Sequence, residues 1–512
     1  MIEGLKMITR FFLSALVLLA IYIPLYSTTA NPSAYKLKNF KMNQLKQDEN
    51  KVIITFKKKT SIHRINSLKS EKVDSLKGSP VVTASLSKNQ IEVLVKNDQV
   101  ESIEKDQKVQ ISVVSSKEKK SVLAMAQTRD WGIDKIKAPS AWSAGLTGKG
   151  VKAAVIDTGV GPHEDVIVTG GISFVPYTTS YSDDNGHGTH VAGIISAENN
   201  SLGVVGVAPD TSIYSIKVLD STGSGYVSDI IKGLDWAITN KMDIVNMSLG
   251  FYYDSPALEA TINNAVSKGI LVVGAAGNSG NYTGYPFTVS YPAKYENVIA
   301  VAAIDRYYLR ADFSSPGSEV DVAAPGENIY STYLNNSYTI LSGTSMASPY
   351  IVGELSLLKQ KYPTETAHSI RNRLTNLSFD LGNTGVDAFY GNGLPIYGND
   401  GLATLPLKTK LTVTKSSEII KPKDVISLTI KVTDQSNKPV SNASIYFNSQ
   451  APSTGMMSIV TAMTNRQGLA TITLQSYTGY QTSEVGNYLV IIKVYKEGVV
   501  GSFESTSFTV TQ

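Results

Sequence analysis

Val151-Lys152-Ala153-Ala154-Val155-Ile156-Asp157 is a nearly continuous apolar run closed by a carboxylate. A strand with one wet face alternates polar and apolar residues, whereas this one offers apolar side chains to both faces and must be covered on both. Four more runs share the pattern: Ile213 to Val218, Ile244 to Met247, Ile270 to Val273 and Val298 to Ala303, with helical stretches between them. Doubly buried strands alternating with helices predict an α/β fold, a parallel sheet flanked by helices, over residues 126–400. Ligands should then collect beyond the carboxyl ends of the strands, where Asp157 stands, although an acid there also suits a turn or a cap.

The flanking regions have a different texture. Residues 31–125 read as a small α+β domain: Val52-Ile53-Ile54-Thr55-Phe56 is a strand, Ser87 with Gln90 forms a capping box ahead of Ile91, Val93, Leu94 and Val95, and a strand-rich stretch runs through Val100, Ile103, Val109, Ile111 and Val113. Lys117-Glu118-Lys119-Lys120 follows as an exposed connector. From residue 406 to 512 the period becomes two, as in Ile426, Leu428, Ile430, Val432 and in Tyr488, Val490, Ile492, Val494, which predicts an all-β sandwich. Its turns resemble those of bacterial immunoglobulin-like modules. At the other end, Lys6 and Arg10 precede an apolar run from Phe11 to Ile23, and Thr28-Thr29-Ala30 supplies small residues for cleavage, so residues 1–30 read as a signal peptide. The run is short of the roughly 20 residues that a membrane span needs, so no stable membrane insertion is expected once it is removed.

A net charge of +4 over 512 residues gives no reason to expect a nucleic acid partner. The absence of cysteine removes disulfides, thiol nucleophiles and thiolate metal sites together. A secreted chain without disulfides must find stability elsewhere.

Three segments carry chemistry. In Gly343-Thr344-Ser345-Met346-Ala347-Ser348-Pro349, small residues lead to a serine and a proline before a helical apolar run. Pro349 suits a first turn, which puts Ser345 at or just before a helix N-terminus. Alone, Ser345 would read as an N-cap. Asp184-Asn185-Gly186-His187-Gly188-Thr189-His190 opens another helix, and the chain has only five histidines. His187 and His190 are spaced as a metal pair could be, but the glutamate of a zincin motif and any cysteine are missing. Asp157 is the third.

In the order Asp, His, Ser, these segments resemble the motifs of the subtilisin-like serine proteases, an order that chymotrypsin-like enzymes and α/β-hydrolases do not share. The resemblance covers residues 126 to about 395. It implies a secreted serine endopeptidase with Asp157, His187 and Ser345 as triad, His187 rather than His190 as base, and Asn278 of Ala275-Ala276-Gly277-Asn278 as oxyanion donor; otherwise Asn278 reads as a turn residue. It implies a substrate groove at Ser248, Leu249, Gly250 and Gly277. Ser290 falls where many relatives have glycine at the base of the specificity pocket, and Val227 where an aromatic often lines a more distant one. It also implies Ca2+ bound by Gln127, Asp165, Glu198, Asn200, Leu202 and Val204, a stretch that could otherwise be an ordinary Asn-Gly turn.

The same resemblance makes residues 31–125 a propeptide that inhibits the enzyme and is removed by self-cleavage, expected near Met125 with Val122-Leu123-Ala124-Met125 in the groove. Tyr350 stands where many relatives have histidine, which predicts altered packing with activity retained. Protein and peptide substrates, the chain's own propeptide and a monomeric state are the expected partnerships. The rival reading is a surface binding protein that acts through residues 406–512 with an inert protease domain.

Overall fold

The computed structural model describes residues 37–38, 41–47, 50–58, 73–111, 114, 126–281, 286–398, 406–421, 424–450, 457–475 and 485–511. The signal peptide expected at residues 1–30 and the stretch Val122 to Met125 lie outside them. No helix among the described residues is long and apolar enough to cross a membrane.

The expected central sheet is present, with seven strands. In chain order they are β1 (Lys152–Asp157), β2 (Val168–Ser173), β3 (Ser212–Lys217), β4 (Ile244–Met247), β5 (Leu271–Ala275), β6 (Ile299–Ile304) and β7 (Val322–Pro325). They lie side by side as β7-β6-β5-β4-β1-β3-β2, and every pairing is parallel. The sequence pattern missed β2 and β7. β2 is broken by Gly170-Gly171, and β7 is four residues, two of them alanine, so neither presents a long branched apolar run.

Four helices matter for function: α1 (His187–Ser196), α2 (Val227–Thr239), α3 (Pro256–Ser267) and α4 (Thr344–Lys361). Strand alternation sorts β1 between two cores. Ala153 and Val155 pack under α1 and α4, while Ala154 and Ile156 pack under α2 and α3. The chain runs from β1 through β2 to β3 on one side and returns to β4 on the other. The crevice beyond the carboxyl ends of β1 and β4 is therefore the switch point where such sheets bind ligands.

Ahead of this domain, a five-stranded sheet (Leu37–Lys38, Val100–Lys105, Asn50–Phe56, Val81–Leu86, Val73–Ser75 in spatial order) carries the helix Lys88–Val95. The capping box forms: Gln90 N–H donates to Ser87 Oγ, and Ser87 N–H donates to Gln90 Oε1. This small domain sits on α2 and α3. Asp106 accepts from the Ser228 amide (3.0 Å) and hydroxyl (2.7 Å), and Glu104 accepts from the Ala257 amide (2.9 Å), placing carboxylates at two helix N-termini. Burial pushes Glu104 up to about 7 against its bonds to Ala257 and Ser255.

Residues 407–510 form two sheets of four and five strands around one core, in which Ile426, Leu428, Ile430 and Val432 meet Val490, Ile492 and Val494. Gly501 N–H donates to the Tyr307 carbonyl and Lys493 pairs with Asp312 at 2.5 Å, joining this β region to the α/β domain.

Candidate active site

The site assembles at the switch point. Asp157 closes β1, and its Oδ1 accepts from the Thr158 amide and from His187 Nδ1, both at 2.7 Å. His187 opens α1, whose ten residues are all buried. Two glycines let it come so close. Gly186 has φ +105°, and a side chain on it would strike the Tyr333 ring; a Cβ on Gly188 would sit 2.0 Å from the Gly159 carbonyl. Asp183 holds the start of α1 through the Asn185, Gly186 and Thr189 amides and the Thr189 hydroxyl. Burial alone would depress the His187 pKa, but the charge and hydrogen bond of Asp157 outweigh it and the imidazole is held above its usual value. His187 Nε2 is buried without a hydrogen-bond partner.

His190 is turned elsewhere. Its Nε2 donates to the carbonyls of Ile329 (3.1 Å) and Thr339 (3.2 Å), and burial, with the neighbouring His187, pushes it down to about 3. The two histidines do not form a metal pair.

Ser345 occupies the first turn of α4, its Oγ donating to the Ser248 carbonyl at 3.1 Å. Pro349 is not in that turn, as the sequence suggested, but is the helix's sixth residue. A proline there supplies no N–H to the carbonyl four residues back, which belongs to Ser345. The Ser248 hydroxyl takes that place, donating to the Ser345 carbonyl at 2.8 Å; it also meets Ser348 Oγ and accepts from Asn246 Nδ2. The proline thus ties the serine turn to the segment after β4.

Asn278 lies just beyond β5. Its Oδ1 accepts from the Thr344 amide (2.9 Å) and hydroxyl (3.0 Å), which fixes the amide plane. A Cβ built on Gly343 would stand 3.2 Å from Asn278 Nδ2 and 3.6 Å from the Ser345 amide nitrogen, so the two nitrogens lie close to one small volume beside Ser345. Sequence reasoning missed Thr344, which also accepts from the Gly277 amide, and Lys217. Lys217 Nζ is fully buried and donates to the Thr158 and Leu219 carbonyls and to Asp184, bracing the turn after Asp157. A lysine ending the apolar strand β3 was the available signal.

Ser248, Leu249 and Gly250 leave β4 toward the same crevice. Ser290 fills the space between Gly250 and Gly277: Cβ atoms on those glycines would come within 2.5 and 2.8 Å of its Oγ. Val227 is the buried first residue of α2, next to the short strand Ser224–Tyr226 that borders the crevice. That strand pairs with Lys108–Gln110.

Around Gln127, the carbonyls of Glu198, Leu202 and Val204 converge on its Nε2 at 2.7, 3.3 and 3.2 Å. Asp165 is fully buried beside them. One of its oxygens accepts from Asn200 Nδ2, the other from the Val204 amide, and burial pushes its carboxyl up to about 6.

Residues 148–393 match the subtilase family. The chain is 45% identical to the thermostable alkaline protease of Halalkalibacterium halodurans over 315 residues, covering 62% of this chain and 81% of that protein. It is 46% identical to subtilisin E of Bacillus subtilis over 348 residues, 68% of this chain and 89% of that one. With the minor extracellular protease Epr of Bacillus subtilis, identity is 42% over 353 residues, 68% of this chain and 54% of the relative.

Proposed function

The chain belongs to the subtilase family and is a subtilisin-like serine endopeptidase; from that premise we propose that Ser345, His187 and Asp157 are its nucleophile, base and orienter, made as a self-processing extracellular zymogen. Rotation of the Ser345 side chain takes its hydroxyl from the Ser248 carbonyl to His187 Nε2, which accepts the proton as Oγ attacks the scissile carbonyl. Asp157 keeps the proton of the neutral ring on Nδ1 and stabilises the imidazolium that follows. The oxyanion accepts from Asn278 Nδ2 and the Ser345 amide. His187 returns its proton to the leaving amine, and water releases the acyl group by the same route. The observation that supports this reading is the 2.7 Å bond from His187 Nδ1 to Asp157, which leaves Nε2, buried and without a hydrogen-bond partner, as the ring's acceptor.

Residues 248–250 and the strand Ser224–Tyr226 would clasp an extended peptide between them, pairing with its backbone and so accepting many sequences. Ser290 shortens the pocket beneath. The small domain of residues 37–111 is the inhibitor, held on α2 and α3.

Ca2+ fits the Gln127 cluster. The donors are all oxygen, three carbonyls already point at one spot, a half-turn of the Gln127 amide would present its oxygen to that spot, and Asp165 supplies buried negative charge. When bound, the ion would hold the loop after α1 to the segment at Gln127, adding stability that a chain without cysteine cannot take from disulfides. Casein hydrolysis that stops on fluorophosphonate treatment and on Ser345→Ala tests the whole assignment. Equal inactivity of wild type and Ser345→Ala after removal of the small domain would refute it.

A further inference from the structure

The backbone on both sides of Asn278 is tied to one segment, residues 310–315. The Ser315 amide donates to the Gly277 carbonyl (2.9 Å), the Ser279 amide to Ser315 Oγ (3.1 Å) and the Gly280 amide to the Phe313 carbonyl (2.8 Å), while the Arg310 guanidinium donates to the Asn281 carbonyl. Arg310 also donates to the Ser314 carbonyl at 2.6 Å, which closes its own segment around the guanidinium. The fit is tight. A Cβ on Gly280 would stand 2.1 Å from the Ser314 carbonyl oxygen, and one on Gly277 3.0 Å from Ser315 Oγ, so the two segments move together or not at all.

Residues 310–315 are themselves held from two sides. On the inside, Ala311 N–H donates to the Ala303 carbonyl of β6 and the Ala303 amide donates to Ser314 Oγ, both at 2.9 Å. On the outside stands the β region of residues 407–510. Gly501 N–H donates to the Tyr307 carbonyl at 2.8 Å, the Tyr495 ring meets the Tyr307 ring edge-on with centroids 5.0 Å apart, and the buried Lys493 reaches Asp312 at 2.5 Å. Gly501 packs so near Leu309 that a Cβ on it would come within 2.9 Å of that side chain, and Val500 is buried in the same core as α1 and α4. The turn that links these contacts is stiff. Asp305 Oδ1 accepts from the Tyr307 and Leu309 amides (2.8 and 2.9 Å), and the Asp305 amide donates to the Leu309 carbonyl at 2.8 Å. The outer anchors, at Tyr307 and Asp312, therefore flank Arg310.

Resting on the reading of Asn278 as oxyanion donor, we infer that the β region serves the reaction itself: Lys493 and Gly501 are positioning residues that fix residues 307–315 and, through them, Asn278 Nδ2. A preorganised donor works only within about 0.5 Å and 10–20° of its productive geometry, so a brace two steps removed still bears on the rate. The oxyanion exists in the transition state and not in the bound substrate. Loosening the brace therefore lowers kcat and leaves KM little changed.

The test is steady-state hydrolysis of a peptide anilide by the full chain well below its unfolding temperature, with kcat scaled to the sites that label with a fluorophosphonate. Lys493→Met should lower kcat about threefold, the scale of a partly exposed ion pair. Gly501→Pro, which deletes the N–H given to Tyr307, should lower it about tenfold; if that chain does not fold, Lys493→Met decides alone. Lys415→Met, which breaks a pair with Glu418 inside the β region, controls for damage to that region and should leave kcat unchanged. In an Asn278→Leu background neither Lys493→Met nor Gly501→Pro should lower kcat further. A wild-type kcat in Lys493→Met and in any folded Gly501→Pro, or a fall by the same factor with and without Asn278, overturns the positioning role and leaves the oxyanion reading standing. A wild-type kcat in Asn278→Leu overturns both.

Discussion

Removing one oxygen from Tyr350 should soften the nucleophile helix without touching the chemistry. The ring is fully buried in α4, and its hydroxyl donates at 2.6 Å to Asp130 Oδ1. Asp130 caps the helix Trp131–Lys135 through the Gly132 amide (2.9 Å), and its other oxygen accepts from the Tyr330 amide at 3.0 Å. Tyr350→Phe keeps the ring volume and leaves the carboxylate only its backbone donors. A buried hydrogen bond to a charged group contributes about 1.5–3 kcal/mol, and a domain of this size loses about 2–4 °C per kcal/mol, so Tm should fall by about 3–12 °C. Burial raises the Asp130 pKa, partly countered by Tyr350, so the folded state holds its proton to higher pH than the unfolded chain. A raised carboxyl stabilises below its unfolded pKa and loses that contribution as pH climbs through the folded value. Without the hydroxyl the shift grows, and the deficit of Tyr350→Phe should be larger at pH 8 than at pH 5. Calorimetry of wild type, Tyr350→Phe, Asp130→Asn and the double variant reads the coupling directly. A Tm change below 1 °C, or a kcat/KM loss above tenfold at unchanged Tm, would refute this account of Tyr350.

Four shorter predictions accompany it. Asn278→Leu should lower kcat by about 10²–10³, the loss recorded for this donor within the same family, with KM little changed on peptide substrates. Because catalysis needs neutral His187 and Asp157 holds its pKa above the usual value, kcat/KM should fall as pH drops through a midpoint above 6.5, and a midpoint below 6 would contradict the pairing. Chelation of Ca2+ should lower Tm in the wild type and have no further effect on Asp165→Asn, as thermal scans with and without chelator would show. Glu354 is buried in α4 with Oε1 unpartnered, and burial pushes its carboxyl well above the usual range; Glu354→Leu should raise stability by about 1–3 kcal/mol, most at alkaline pH, where the wild type loses the contribution of a raised carboxyl.

Much of the frame could be read from residue order. Apolar runs such as Val151 to Ile156 and Ile213 to Val218 announced a doubly covered sheet, and the period-two runs after residue 406 announced a second core. The site was legible where chemistry is concentrated in rare residues: five histidines left few bases to choose from. Choosing His187 over His190 needed the family resemblance, because both open the same helix and only the fold turns one to Asp157 and the other to carbonyls. Pro349 misled because a helix interior normally rejects proline, and only the Ser248 hydroxyl, about a hundred residues away in sequence, makes it tolerable. Thr344 likewise acts through a partner that sequence spacing does not reveal.

The short strand Ser224–Tyr226 has a consequence for the protein in concentrated solution. Its pairing with Lys108–Gln110 is its sheet among the described residues, so release of that segment would uncover a bare edge able to recruit any extended chain. Three residues, led in by Gly223 at φ +75°, give too short a ladder to seed intermolecular sheets. Brevity of the edge thus separates two outcomes that share one geometry: transient capture of a peptide and irreversible self-association.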